Sequence, residues 1–165
     1  MPTKETTASL LKKLGKKIDS IYPETTYIPV ENAKYVELIR SDEILFIATE
    51  SALDKNLDLN TLIEDTPDLL NSFATSSSRL VVYRTDGKKF YSKDAIGEVE
   101  ELLGENQVLV RTHSSFIANL REIKGIQKVG NGRALVMRGS KTLVPISSRN
   151  ERAIKKYLGF KRWPS

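Results

Sequence analysis

The chain has 165 residues, 39% of them apolar, with one histidine and no cysteine. That is apolar material enough for one folded domain, and the absence of cysteine excludes a disulfide framework, a thiol nucleophile and a cysteine-bound zinc site. The formal charge of +5 hides a split: Val108 to Ser165 carries thirteen lysines and arginines against two acids, Glu122 and Glu151, whereas Met1 to Gln107 carries thirteen bases and nineteen acids. Such asymmetry directs the C-terminal half toward a polyanion.

Along the chain, Thr7 to Ile21 has the periodicity of an amphipathic helix, with Leu10, Leu11, Leu14, Ile18 and Ile21 on one face and Lys12, Lys13, Lys16 and Lys17 largely off it. Pro23 ends it. Its apolar face suits docking on the domain, self-association or, with its lysines, a membrane surface. Thr26 to Val30 contains Pro29 and is at best an edge strand. Tyr35 to Arg40 and Ile44 to Thr49 flank Ser41-Asp42-Glu43 and read as a hairpin.

Residues 51–78 are acidic up to Asp68 and then serine-rich. Thr66-Pro67-Asp68 is a helix start, because proline at the first helical position loses no needed hydrogen bond; two short helices and a serine-rich return are expected. Leu80 to Arg84 and Lys88 to Tyr91 form a hairpin around Thr85-Asp86-Gly87, where Asp-Gly supplies the positive φ of a tight turn. Asp94 to Leu103 follows as a helix with Ile96, Val99, Leu102 and Leu103 inward and Gly104 as its stop.

Val108 to His113 alternates like a strand and ends in His113-Ser114-Ser115. Ile123 to Val129 and Ala134 to Arg138 are strands around Gly130-Asn131-Gly132, and Arg138 to Lys141 turns into Thr142 to Ile146. In the last helix Ser148 and Glu151 have capping-box spacing. Ala153, Ile154, Tyr157 and Leu158 are its apolar set, and Gly159 its C-terminal cap. The longest apolar run, Ile44 to Ala48, is far short of a membrane span. The N-terminus lacks the apolar core of a signal peptide. The expected location is therefore the cytoplasm, with no membrane partner.

Little in these residues points to catalysis, and the chain is expected not to be an enzyme. One histidine without cysteine leaves few nucleophile–base pairs, no phosphate-cradling glycine loop is present, and His113 alone cannot build a histidine-rich metal site. Neither cofactor nor metal is expected. The acids of Glu98, Glu100 and Glu101 read as a solvated helix face.

The stretch VRTHSSFIANLREI, Val110 to Ile123, resembles the core motif of LytTR-type DNA-binding domains: a leading aliphatic residue, Arg111, a variable residue, His113, Ser114, Ser115, the aromatic Phe116, the apolar pair Ile117-Ala118, and Asn119. Two further segments match the family in the same order, DEILFIATES before it and Val144-Pro145-Ile146-Ser147-Ser148-Arg149 after it. The resemblance runs from about Tyr27 to Phe160 and is specific from Arg79 onward. It implies a mostly β, elongated fold with short helices, whose loops rather than a recognition helix enter successive major grooves. The implied function is that of a bacterial transcription regulator binding double-stranded DNA at promoter repeats.

Carried over by position, Ser114 and Arg149 are the DNA contacts. An arginine opening a helix opposes the helix dipole at a cost of a few tenths of a kcal/mol, so its presence suggests a functional need. The neighbouring backbone N–H groups suit an anion, and the guanidinium suits guanine O6 and N7. Arg138 and Lys141 are phosphate candidates. Lys55 and Asn56 are contact candidates in the acidic insertion, and His113 and Asn119 are expected to support the loop by satisfying buried polar groups.

The expected organisation is an N-terminal helix over residues 1–25, the DNA-binding domain over 26–160 with a helical insertion near 51–78, and a tail over 161–165. The stretch before the domain is too short for a receiver domain, so no phosphorylation switch is expected. A homodimer on DNA is one arrangement; a protein partner for the insertion is another. An alternative reading makes the chain a protein-interaction module acting through the acidic insertion or the N-terminal helix. RNA binding lacks the exposed aromatics that single strands stack on.

Overall fold

The computed structural model describes residues 26–53, 58–64, 79–104 and 108–164. The expected N-terminal helix, the Thr66-Pro67-Asp68 helix start, Lys55 and Asn56 lie outside these residues.

Among the described residues, ten strands make three sheets. β1 (Tyr27–Glu31) and β2 (Val36–Arg40) form an antiparallel ribbon. β3 (Ile44–Thr49), β4 (Leu80–Arg84), β5 (Lys89–Ser92), β6 (Leu109–His113) and β7 (Phe116–Asn119) form a five-stranded sheet in the order β5-β4-β3-β7-β6. β8 (Ile123–Val129), β9 (Gly132–Met137) and β10 (Leu143–Ile146) form a meander in the order β10-β9-β8. Three helices accompany them among the described residues: α1 (Leu59–Glu64), α2 (Ile96–Leu103) and α3 (Ser148–Leu158).

The fold class is the expected one, mostly β with short helices, and Pro29 does lie in a two-stranded ribbon rather than a central strand. The expected β2–β3 hairpin does not form. Ser41 to Glu43 is a 3-10 turn, β2 pairs with β1, and β3 pairs with β4 and β7. The buried Ser41 causes this redirection: its amide donates to the Thr26 carbonyl at 2.7 Å, and its hydroxyl accepts the Thr26 N–H at 2.9 Å. That reciprocal pair pins the start of β1 to the end of β2 and sends β3 into another sheet.

Two apolar clusters flank the central strand β3. The first collects Leu45, Phe46 and Ala48 with Phe116, Leu62, Leu135, Met137, Val144, Ile146 and Ile154. The second collects Ile44 and Ile47 with Ile28, Ile39, Leu80, Val82, Val99, Leu109 and Ile117. A register shift between Ile44 and Phe46 breaks the period of two, which is why the neighbours Leu45 and Phe46 share a cluster. Within the helices, Val99 and Leu103 of α2 are buried, but Leu102 is exposed. In α3, Ile154 is buried and Leu158 half-buried, whereas Ala153 and Tyr157 face solvent. Each helix is too short and too peripheral to bury more than a narrow stripe.

Candidate nucleic-acid interface

The end of β6 answers why a strand should finish in His-Ser-Ser. His113 is buried. Its Nδ1 accepts the Ser115 N–H at 3.0 Å, so the proton sits on Nε2, which donates to the Leu62 carbonyl. The ring therefore ties the β6–β7 turn to α1, a helix of the acidic insertion, and it meets Phe116 edge-on at 5.7 Å. Arg111 holds the same turn from outside. Its Nε donates to the His113 carbonyl at 2.8 Å, another guanidinium N–H donates to the Ser114 carbonyl, and a third reaches Glu100 of α2 at 3.3 Å. Ser114 and Ser115 are thus fixed through contacts to α1 and α2. The Ser115 carbonyl also accepts the Thr49 N–H at 3.0 Å.

The start of α3 joins this turn. The Ser147 N–H donates to the Thr112 carbonyl at 2.9 Å. Ser114 lies two residues past one end of that bond and Arg149 two residues past the other. At about 3.8 Å per residue that bond bounds how far apart the two can lie. Ser114 is half-buried and Arg149 exposed.

The helix start differs from the expected capping box. Ser147 is the N-cap, in extended conformation, and it makes no side-chain cap. Its hydroxyl instead accepts from the Asn150 side chain at 2.7 Å, while its carbonyl accepts the N–H groups of Asn150 and Glu151. Arg149 is consequently the second helical residue, not the first, yet still within the first turn, where N–H groups point outward.

The remaining expected residues are placed as follows. Asn119 is buried at the opposite end of β7 from Ser114. Its side chain donates to the Ile44 carbonyl at 2.9 Å and accepts the Arg121 N–H at 3.0 Å. It therefore braces the 3-10 turn before β8, not the His113 turn. Arg138 and Lys141 are exposed on the β9–β10 turn, at the far end of β10 from Arg149. Neither pairs with a carboxylate among the described residues. Nearer to Arg149, the β8–β9 turn packs on α1: a Cβ on Gly132 would meet Ile63 at 2.4 Å, and one on Gly130 would meet Asn60 at 2.5 Å.

Sequence reasoning gave no role to Leu62, Arg111 or Thr112. Arg111 was legible as a cation at an alternating strand position, but its role as a brace comes from the turn carbonyls of His113 and Ser114 together with Glu100 of α2. Among the described residues no group of three or more metal-ligating side chains occurs, and no helix is long and apolar enough to cross a membrane.

Against protein families, residues 70–159 match the model described as the LytTr DNA-binding domain, more than half of the chain. The chain belongs to the LytTR family. The LytTR fold itself is shared with a solved LytTr DNA-binding domain from Bacillus cereus at a TM-score of 0.55, covering 83% of this chain and 100% of that one with 18% identity. None of the curated proteins matches. As a LytTR member the chain is a DNA-binding domain of the transcription-regulator output type, a family of DNA binders rather than of enzymes.

Proposed function

We propose that this LytTR domain binds double-stranded DNA sequence-specifically, reading promoter repeats through the edge formed by the β6–β7 turn and the first turn of α3, as a cytoplasmic regulator with no catalytic role. The observation that supports the reading is the Ser147–Thr112 hydrogen bond, which ties the start of α3, with Arg149, to the strand that leads into the Ser114 turn, itself braced by His113 and Arg111. A pre-ordered turn loses little entropy on entering a groove, and Arg149 there can donate two hydrogen bonds to guanine O6 and N7. Ser114 serves as a second contact. Arg138 and Lys141, on the far turn, act as phosphate contacts that position the domain without reading bases.

The test is binding of a selected promoter fragment against a scrambled duplex in gel shifts. Arg149→Ala is expected to lose about 1–3 kcal/mol of specific affinity with an unchanged Tm. Lys141→Ala is expected to weaken both duplexes alike and to flatten the salt dependence by about 0.9 in log–log slope. Equal affinity of the wild type for the two duplexes would refute sequence-specific reading.

A further inference from the structure

The C-terminal tail and the outer side of β8 enclose a cleft of about 700 Å³, within the range of roughly 300–1,000 Å³ typical of small-molecule sites. Ile126, Leu158, Phe160 and Trp163 line it with apolar surface. Lys124, Lys128 and Arg133 also line it, and among the described residues no acidic side chain contributes. We propose that this cleft binds a small amphipathic organic carboxylate, with its apolar body on the Trp163 side and its head among these three cations.

Trp163 joins the two kinds of lining. Its ring carries the Arg133 guanidinium at 5.3 Å and the Lys155 ammonium at 5.8 Å. The cleft thus gathers cations beside an apolar wall and, among the described residues, has no anionic group in its lining, which a carboxylate head would supply. The site lies at the Leu158 end of α3, the opposite end from Arg149, and does not rest on the DNA reading.

Trp163 is the chain's single tryptophan, so its fluorescence reports on the cleft directly. The full chain is titrated with monomeric decanoate, with decanol as the uncharged control. The expected result is a saturable one-site change for decanoate, with decanol about tenfold weaker for want of the charged hydrogen bonds. The double variant Lys124→Gln/Lys128→Gln, at two exposed positions, is expected to bring decanoate down toward decanol at unchanged Tm. The proposal is overturned by no saturable response, by equal binding of decanol, by undiminished decanoate binding to the folded double variant, or by a Trp163 response to duplex DNA alone.

Discussion

Two turns in the five-stranded sheet differ in how much of their support comes from distant chain. The β4–β5 turn is held largely by its own residues: the Asp86 carboxylate accepts from Arg84 at 2.6 Å and from the Lys88 N–H at 3.1 Å, and Gly87 takes φ of 91°. One bond leaves it, from the Thr85 N–H to the Glu43 carbonyl at 2.8 Å, and Asp86 is solvent-exposed. The β6–β7 turn has local bonds from Arg111 and the His113 ring and three more to distant chain. His113 reaches Leu62, Arg111 reaches Glu100, and Thr112 receives Ser147. Closing loops of this length costs entropy and gives in exchange one defined geometry. A turn held mostly by itself makes a connection; a turn braced from three directions presents its outer residues in fixed positions, which a groove-reading surface requires.

The contrast breaks most visibly at the support of the β6–β7 turn. Phe116 is 1% exposed beneath it, and Phe116→Ala is expected to cost about 3–5 kcal/mol in chemical denaturation. His113→Ala should cost a comparable amount, because the Leu62 carbonyl and the Ser115 N–H are both left without the ring, at about 1–3 kcal/mol per orphaned group. DNA affinity should fall with it even in the folded fraction. A His113→Ala protein with wild-type stability would show that the distant bracing contributes nothing.

The β4–β5 turn should respond weakly. Asp86→Asn at neutral pH is expected to leave the Tm within the reproducibility of the scan, since the pair is exposed and screened. The Arg84 guanidinium, followed by the Lys88 N–H, lowers the Asp86 pKa to about 2. A lowered carboxylate pKa stabilises the fold above the ordinary aspartate range, and that stabilisation disappears as pH falls through about 2. In an NMR titration Arg84→Gln should move the Asp86 midpoint back up toward the ordinary range; an unmoved midpoint would remove the guanidinium as the cause.

The same distinction explains what was legible in the sequence. Asp86-Gly87, the Gly130-Asn131-Gly132 turn and the left-handed Gly159 cap were readable because each is decided by neighbours within a few residues. The family motif brought out Ser114 and Arg149, and the structure joins the segments that carry them by the Ser147–Thr112 hydrogen bond. The β2–β3 hairpin was misread because Ser41 is bonded to Thr26, fifteen residues earlier, and no local pattern encodes that partner. The acidic insertion was read as an interruption, yet Leu62 joins the core and its carbonyl receives His113. Its charge hid the apolar stripe of Leu59, Leu62 and Ile63. The capping box failed because Ser147 rather than Ser148 ends the extended segment, so Asn150 took the serine hydroxyl.

The most direct measurement is amide chemical-shift mapping during titration with a promoter duplex. The amides of Ser114, Ser115, Ser148 and Arg149 should shift together and saturate together, while those of Thr85 to Lys88 stay still. Large shifts at the β4–β5 turn with none at Ser114 and Arg149 would contradict the assignment of the DNA-reading edge.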